Sequence, residues 1–537
     1  MCIRDRSIGV FKTNEKDWTL TGSSNQAYKF DGGIAVSFND GHCRNNNSTV
    51  VSSYLPSLGD YEGGTFMMAI DTDNSKLWFG LNGKWGNNSG SGNPELGTNA
   101  LLTNLNYAVY PYIMAVSDSA TDPCHGILNC GQKPFHYPPP KGFETISVPN
   151  TPTNVVLPTK YFTPTLYSGT GSGPQNVDAG FKPDMVWIKS RNNAWYWNCY
   201  DSVRGSGKPG TDDAAYYIGC NDNSVQTNVN AVSGTQFQGF YGANQSGGYI
   251  PHYYTGGSGQ ELNTSGATYV GYCWKAGGGT GAGGEFWKDD KQYASAAAAG
   301  LDGGSITPTG ASVGTRQGFS IIKYSGTGSA ATISHGLSSA PQLIISKRID
   351  NSTSNWGVYH SSLGPTKVIL LNSSNAQVTA DTPWNDTSPT SSVWSVKSSN
   401  TTNNSGDNYI AYLWADIPGV QKFGKYAGSG NNNGSVVELG FRPALVWVKS
   451  YDTAGQEWVV WDDKRAPYNE INTFLYLEQN IADNGDGADR KVDFLSNGFK
   501  FRDGSSGATD YSGRNYIYCA WAEQPEYNLY GGQSNAR

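Results

Sequence analysis

The chain has few charged residues and no long apolar run. Only 15% of its 537 residues are Asp, Glu, Lys or Arg, against roughly 25% in an average soluble protein. The net charge of -7 argues against a surface that neutralises nucleic-acid phosphates. No stretch of about 18 apolar residues exists and no charged-then-apolar leader begins the chain, so neither a membrane span nor a signal peptide is predicted. We therefore expect no nucleic-acid partner and no membrane partner.

Cysteine and histidine are also sparse. The eight cysteines are scattered without a CxxC pair, which is unlike a disulfide scaffold and favours free thiols in a reducing compartment. Cys124, His125, Cys130 and His136 form the one Cys/His cluster of the sequence, but their spacing fits no zinc template. None of the six histidines accompanies a G-x-S-x-G nucleophile elbow. The prediction is no metal, no cofactor, no catalytic residue and no enzymatic activity.

Aromatic residues and glycine are abundant instead. Aromatics make up 13% of the chain, and this much ring surface to bury excludes disorder for most of it. Short apolar runs alternate with clusters of Gly, Asn, Ser and Thr, and no apolar stripe of helical period is sustained. The pattern predicts an all-β protein with several β-sandwich domains, jelly-roll or concanavalin-like, in tandem.

One sequence pattern occurs three times in the second part of the chain. Each copy opens with a Tyr-x-Gly-x-Gly block, at Tyr167, Tyr324 and Tyr426. An apolar run (MVWIK, LIISK or LVWVK) follows and predicts a buried strand. Each copy closes with Tyr and Trp five residues apart, at 269–274, 409–414 and 516–521. Because a copy has about the length of one sandwich, we expect separate domains in a row, each with its own core.

These blocks give the predicted domain limits. Residues 1–8 are expected to be an artefactual or unstructured start, because Met1–Arg6 resembles adapter-derived sequence at the ends of metagenomic reading frames, and an N-terminal truncation is expected. The other limits are a first sandwich at 9–145, a Pro-rich linker at 146–158, repeat 1 at 159–276, a Gly/Ala-rich linker at 277–317, repeat 2 at 318–418, repeat 3 at 419–525 and a tail at 526–537. One strand or short helix is expected near Tyr293 in the second linker.

The first sandwich contains strand and turn blocks in a characteristic order. Residues 66–85 (FMMAIDTDNSKLWFGLNGKW) include Asn82-Gly83, a strong signal for a tight hairpin. YPYI at 110–113 and LNCGQKPF at 128–135 follow. This order resembles the C-terminal half of a SPRY domain, a bent β-sandwich. Cys130 stands where that family usually has Phe, and its upstream strands are missing or degraded here.

The repeats are similar to an uncharacterised domain that is common in structural and tail proteins of marine bacteriophages. The matching features are GF-x-P at 180–183 and 440–443, D-S-x-R-G at 201–205, S-x-G-F at 496–499 and the closing strands. Repeat 2 departs most, since Leu337 replaces the Phe. The whole layout resembles phage virion proteins. The resemblance implies location in the virion after synthesis in the host cytoplasm, with other virion subunits as partners and a homotrimer as one candidate state.

Paired acidic residues raise the question of glycoside hydrolysis, which needs two carboxylates at a fixed separation. Residues 462–465 (DDKR) are the strongest candidates, with Glu457 nearby. However, they occupy in repeat 3 the place that residues 201–204 (DSVR) occupy in repeat 1. An Asp and an Arg at equivalent positions of two copies predict an ion pair within each domain rather than a catalytic pair.

Exposed aromatic rings are the candidate binding residues. A ring on a β surface can stack on a sugar while Asn, Gln and Asp side chains bond its hydroxyls. The candidates are Trp195, Trp197, Tyr253, Tyr254 and Trp384. Strand alternation would place Trp195 and Trp197 on one face and Tyr196 on the other. The alternative, that most rings fill sandwich cores, stays open.

The sequence as a whole predicts a non-enzymatic virion component. The favoured role is a tail fibre or appendage that recognises a host-surface polysaccharide or receptor through many weak sites. A purely structural decoration or spacer protein is the alternative. A polysaccharide depolymerase and a bacterial adhesin are further alternatives, the adhesin being disfavoured because no signal peptide is visible.

Overall fold

β-Strands and turns make up nearly all the regular structure in a computed structural model of the chain, which confirms the predicted all-β class. Two units are present, Met1–Thr153 and Asn154–Arg537. The structure describes 7–12, 34–37, 43–45, 48–51, 54, 65–71, 74, 76–86, 92–101, 103, 112–117, 135–141 and 143 of the first unit, and 157–526 of the second except 208–214, 229–236, 242–246, 252–261, 351–352 and 485–489. No helix in these ranges is long and apolar enough to cross a membrane.

The described part of the first unit contains two antiparallel sheets. Its strands are β1 (Ser7–Lys12), β2 (Ile34–Ser37), β3 (Cys43–Asn45), β4 (Ser48–Val51), β5 (Phe66–Asp71), β6 (Lys76–Leu81), β7 (Lys84–Trp85) and β8 (Tyr112–Ser117). The sheet orders are β4-β3-β2-β1-β8 and β5-β6-β7. β1 begins at Ser7, so the predicted unstructured start at 1–8 is wrong for its last two residues.

The Asn82-Gly83 turn of the first unit is confirmed. It joins β6 to β7, with Leu81 paired to Lys84. Its φ angles are 48° and 82°, and positive values at both positions are what a two-residue hairpin turn of this type requires. The LNCGQKPF block lies almost entirely outside the described residues.

Repeat 1 of the second unit is a sandwich of two antiparallel sheets that follows a short 3-10 helix (Pro158–Lys160). Its strands are β9 (Phe162–Ser168), β10 (Val177–Asp178), β11 (Met185–Ser190), β12 (Asn198–Asp201), β13 (Tyr216–Gly219), β14 (Thr227–Asn228), β15 (Phe237–Tyr241), β16 (Gly248–Pro251) and β17 (Thr268–Trp274). The main sheet has the order β14-β13-β12-β11-β17-β9, and the outer sheet has the order β10-β16-β15.

Repeat 2 includes the segment that was predicted to be a linker. Its strands are β18 (Phe286–Lys288), β19 (Lys291–Tyr293), β20 (Gly310–Gly314), β21 (Phe319–Ser325), β22 (Ala331–Ser334), β23 (Leu343–Arg348), β24 (Gly357–His360), β25 (Lys367–Leu370), β26 (Val378–Thr379), β27 (Val393–Val396) and β28 (Asn408–Trp414). The main sheet runs β19-β18-β20-β21-β28-β23-β24-β25-β26, and β22 pairs with β27. Residues 277–317, called the insert below, are therefore not a linker, because they add three strands to this sheet. The strand predicted near Tyr293 is β19.

Repeat 3 has the simplest sheets of the three. Its strands are β29 (Gln421–Ala427), β30 (Val436–Glu438), β31 (Phe441–Ser450), β32 (Trp458–Asp462), β33 (Leu475–Tyr476), β34 (Val492–Leu495), β35 (Gly498–Phe501) and β36 (Asn515–Pro525). The main sheet has the order β29-β36-β31-β32-β33 and the outer sheet the order β30-β35-β34. The three predicted apolar runs are β11, β23 and β31, and the three predicted closing strands are β17, β28 and β36.

Both faces of each main sheet are buried, which explains why its strands are continuous apolar runs. In β11, Val186 and Ile188 face an outer core inside repeat 1, while Met185 and Trp187 face a second core at the centre of the unit. Repeats 2 and 3 have outer cores of their own. The central core is shared, since it contains residues of all three repeats.

Three equivalent tryptophans, one from each closing strand, lie at the middle of the shared core. The ring centroids are 6.1 Å apart for Trp274 and Trp414, 5.6 Å for Trp274 and Trp521, and 5.8 Å for Trp414 and Trp521. All three pairs are edge-to-face, at 65–73°, which is a favoured geometry for aromatic pairs. The repeats therefore surround an approximate threefold axis. The expectation of separate domains, each with its own core, is wrong for the central core. Each outer core belongs to one repeat, but the central core is shared by all three.

Hydrogen bonds between repeats close the ring. One tryptophan of each repeat donates its indole N–H to a backbone carbonyl of the next, at 2.8–3.0 Å: Trp197 to Tyr476, Trp356 to Gly219 and Trp458 to Leu370. Backbone N–H groups repeat the cycle, since Asp483 donates to Arg191, Gln226 to Ile349 and Gln377 to Tyr451. Repeat 1 thus contacts repeat 3, repeat 3 contacts repeat 2, and repeat 2 contacts repeat 1.

Candidate functional site

Two of the predicted binding residues are interior side chains. Trp197 is 0% exposed in the central core and donates to the Tyr476 carbonyl at 2.8 Å. Trp384 is 1% exposed in the outer core of repeat 2, where its ring packs edge-on against Tyr359 at 5.7 Å. The prediction that these rings lie on the surface is wrong, and rings so placed have no free face for a sugar.

Trp195 remains partly accessible. Its ring packs at 6.4 Å from Tyr269 beside the outer core of repeat 1, while Tyr196 is 39% exposed. Trp195 and Trp197 were expected on one face of a strand, but they pack in different cores, because regular strand geometry begins only at Asn198. Tyr253 and Tyr254 lie outside the described residues.

The described residues contain no group of three or more His, Cys, Asp or Glu side chains that could hold a metal ion. Of the Cys/His cluster considered above, only His136 is described. The described cysteines of the second unit are free and buried, and burial raises the pKa of the Cys273 and Cys519 thiols well above the usual range. Such thiols are poor nucleophiles, because the thiolate is the reactive form.

The predicted Asp–Arg ion pairs are confirmed and fully buried. Asp201 pairs with Arg204, and Asp462 with Arg465. Burial opposes ionisation of Asp462, but the Arg465 guanidinium and further hydrogen bonds hold the pKa of that carboxyl below its usual value.

A tyrosine of a neighbouring repeat completes each ion pair. The Tyr412 hydroxyl donates to Asp201 at 2.7 Å, and the Tyr272 hydroxyl donates to Asp462 at 2.9 Å. These carboxylates therefore fasten one repeat to the next, and their surroundings are those of a structural contact rather than of a catalytic pair.

The third interface uses different residues at the same positions. His360 of repeat 2 stands where the other repeats have the Asp, and Cys519 of repeat 3 stands where they have the Tyr. The His360 Nε2 lies 3.2 Å from the Tyr518 carbonyl. Its Nδ1 accepts the Ser362 N–H at 3.2 Å, so Nε2 carries the proton and donates. Burial lowers the pKa of His360 to about 4, and the ring is neutral near pH 7.

Each of the three apolar runs ends in a fully buried lysine, one residue before the end of its strand, namely Lys189, Lys347 and Lys449. Two of them bond the neighbouring repeat, since the Nζ of Lys347 donates to the Asn223 carbonyl at 3.0 Å and that of Lys449 to the Ser374 carbonyl at 3.3 Å. Burial lowers the pKa of Lys189 to about 7 and that of the other two to about 8. A lysine of this kind can act as a base, but here the ammonium groups are held by backbone carbonyls.

A cleft of about 610 Å³ opens at the side of repeat 1. One wall is the edge strand β9, from Thr163 to Tyr167, and the other runs from Gln175 to Ala179 and includes β10. Lys464 of repeat 3 lies at the cleft, with its Nζ 3.2 Å from the Asp463 carboxylate. Hydroxyl, amide, carboxylate and ammonium groups all line it, together with the half-exposed Leu166. Such a lining suits a ligand with both donors and acceptors and no large net charge.

None of the sequence motifs predicts this cleft. Apart from Tyr167 and Lys464, the residues that line it belong to none of the sequence motifs, so no single position signals it. Comparison of the repeats does carry a signal, because Thr163 of repeat 1 occupies the position of Lys422 in repeat 3.

A family model described as domain of unknown function (DUF7483) matches residues 157–525. The match covers more than two thirds of the chain and spans all three repeats with the insert. No curated protein and no solved structure matches the chain.

Proposed function

The chain belongs to the DUF7483 family, and from that premise we propose that its second unit is a non-enzymatic structural module of a bacteriophage particle. The observation that carries the proposal is the central core shared by three repeats. Aromatic rings, lysines and Asp–Arg pairs, which in other proteins bind ligands or catalyse reactions, hold the repeats together here. A ring closed in this way suits a component that keeps its shape within an assembly. The resemblance of the repeats to phage structural and tail proteins supplies the kind of assembly.

Purified particles test this role. Particles of a phage that encodes the chain are banded on a density gradient, washed at high salt and analysed by quantitative mass spectrometry. We expect the chain at a fixed ratio to the major capsid protein before and after the wash. Recovery of the chain only in the soluble fraction of the lysate would contradict the proposal.

Recognition of a host-surface glycan is a second proposed function, supported by Trp195 and Tyr196. Trp195 is the one described candidate that stays partly accessible, its neighbour Tyr196 is 39% exposed, and an accessible ring of either kind can stack on a sugar unit. The equivalent positions hold Ser354 and Asn355 in repeat 2, and Gln456 and Glu457 in repeat 3, so such a site would belong to repeat 1 alone.

Retention of the labelled full-length chain on host cells tests glycan recognition. We expect retention to fall when periodate oxidises the surface sugars, and to fall likewise for Trp195→Ala and Tyr196→Ala. Tyr468→Ala removes an exposed ring in repeat 3 and serves as the control. Equal retention on oxidised and untreated cells would exclude a glycan ligand.

A further inference from the structure

The cleft of repeat 1 has counterparts in the other two repeats. β9 corresponds to β21 and β29, because the Tyr of the Tyr-x-Gly-x-Gly block lies at the same position in all three strands. β10 corresponds to β22 and β30, because the three strands lie just before the equivalent glycines Gly180, Gly336 and Gly440, respectively. The same two strands therefore border this space in each repeat, and the repeats differ in what occupies it.

In repeat 2 the space is filled by residues 304–314 of the insert. Ile306 is buried, pairs with Ile333 of β22 and donates its backbone N–H to the preceding carbonyl of that strand at 2.9 Å. The segment then reaches the other wall, where the Thr309 N–H donates to the Lys323 carbonyl at 2.7 Å and β20 pairs with β21. One extended, uncharged segment thus contacts both walls.

In repeat 3 a lysine spans the space. The Nζ of Lys422 in β29 donates to the carbonyl of Glu438 in β30 at 2.9 Å, which ties the two walls together. Repeat 1 has Thr163 at this position, and a threonine side chain is too short to span the walls. The cleft therefore stays open among the residues that the structure describes.

The space beside the glycine that joins the outer sheet to the main sheet is filled in repeat 2 and empty of described atoms in repeats 1 and 3. A Cβ built on Gly336 of repeat 2 would lie 2.7 Å from the Leu301 side chain of the insert. A Cβ on the equivalent Gly180 or Gly440 would meet no described atom within 4 Å. Repeat 1 thus lacks both the packed insert of repeat 2 and the lysine of repeat 3.

We propose that the repeat 1 cleft is a socket for an extended, uncharged polypeptide segment of a neighbouring particle subunit, which follows the course that residues 304–314 take in repeat 2. This inference rests on the structural role proposed above. The two charged side chains of the cleft lining, Asp178 and Lys464, have opposite signs, so neither sign dominates and an uncharged occupant is favoured. An apolar side chain at the place of Ile306 would pack beside the buried Val177, the counterpart of Ile333, and would itself gain by leaving water.

Pro164 makes the socket selective. It stands in β9 where β21 has Ile321, and it has no backbone N–H to offer. Proline on an edge strand discourages indiscriminate strand addition. A segment must therefore fill the cleft with a side chain as well as pair with a strand edge, a combination found when domains bind peptides by strand addition.

A synthetic peptide tests the socket on the full-length chain. The probe is a fluorescein-labelled peptide with the sequence of residues 303–314, titrated with the chain and followed by anisotropy. We expect saturable binding. The same peptide with Ile306→Asp should bind at least about tenfold more weakly, because a carboxylate would replace the buried apolar side chain.

Two matched variants locate the binding. Thr163→Lys copies the lysine that spans the space in repeat 3 and should weaken binding of the peptide about tenfold. Ser172→Lys places the same charge on an exposed loop of repeat 1 and should leave binding unchanged. Lack of binding by the parent chain, or equal binding by Thr163→Lys, would overturn the socket. Displacement of the peptide by host-surface polysaccharide would also overturn it, in favour of a glycan site.

The socket and the structural role can fail separately. A chain that is integral to the particle but does not bind the peptide would retain its structural role and lose the socket. A chain that binds the peptide in the predicted way but is absent from particles would retain a polypeptide-binding cleft and lose the proposed role.

Discussion

Equivalent residues of the three repeats serve one structural role with different chemistry. Each tryptophan whose indole bonds the next repeat also donates its backbone N–H to a side chain of its own repeat. Trp197 donates to the Asn221 Oδ1 and Trp356 to the Asn372 Oδ1, both at 3.0 Å. In repeat 3 the acceptor is Glu478, whose oxygens lie 3.1 and 3.2 Å from the Trp458 N. Burial raises the pKa of Glu478 to about 8. The tryptophan N–H is therefore bound by a titratable carboxyl group in repeat 3 and by a side-chain amide in repeats 1 and 2.

We expect Glu478→Gln to stabilise the protein in alkaline solution. The folded pKa of about 8 lies above the ordinary value of 4.5, so the bound proton stabilises the fold. That stabilisation is complete below pH 4.5 and is lost as the pH rises through 8. Glutamine keeps an acceptor for the Trp458 N–H and has no proton to lose. Urea unfolding should give free energies within about 1 kcal/mol of each other for the two proteins at pH 5, and an advantage on the order of 4 kcal/mol for the variant at pH 8.5. Parallel pH profiles would refute this account.

The tyrosine that reaches a buried ion pair should contribute measurably to stability. Tyr412→Phe removes the hydroxyl that bonds Asp201 across the interface between repeats 2 and 1. Because a hydrogen bond to a charged group contributes about 1.5–3 kcal/mol, we expect the free energy of unfolding to fall by that amount. Tyr196→Phe, on an exposed ring, should change it by less than about 0.5 kcal/mol. Similar midpoints for the two variants in urea would show that the interface does not depend on this bond.

At the scale of elements, the sequence predicted strands and turns better than their surroundings. The runs MVWIK, LIISK and LVWVK, the closing strands and the Asn82-Gly83 hairpin are all found, because periodicity and turn chemistry act locally. The insert was mistaken for a linker, since Gly and Ala are typical of linkers. Small residues can also fill a core, and Ala296 and Ala299 do so in repeat 2. Which rings are buried was also not predictable from single strands, because burial depends on a second face that another repeat covers.

Ile306→Ala distinguishes an insert that is part of the fold from a linker. The side chain is buried against the outer core of repeat 2, so its truncation should cost about 2–4 kcal/mol in chemical denaturation. Asp302→Ala changes an exposed residue of the same segment and should cost less than about 0.5 kcal/mol. A linker would tolerate both substitutions equally.

At the scale of the whole second unit, three sandwiches form one body. Each main sheet is apolar on both faces, and a single sandwich can cover only one of them. A repeat alone would leave its inward face, including a buried tryptophan, exposed to water. The continuous apolar runs were a sequence signal for burial on both faces, but they could not indicate which surface covers the second one. The cyclic pattern of contacts between repeats provides that answer, and it follows from packing over hundreds of residues.

One substitution in the central core should therefore lower the stability of all three repeats. Trp414→Phe shrinks a ring that touches Trp274 and Trp521, and the looser packing should cost about 1–2 kcal/mol. If the unit opens cooperatively, hydrogen exchange followed by mass spectrometry should show the same loss of protection in β11, β23 and β31, because the slowest amides exchange through global unfolding. Asp302→Ala, which leaves the central core intact, should leave all three strands as protected as in the parent. A loss confined to β23 would instead mean that each sandwich unfolds on its own, and that the shared core joins the repeats without making them one cooperative unit.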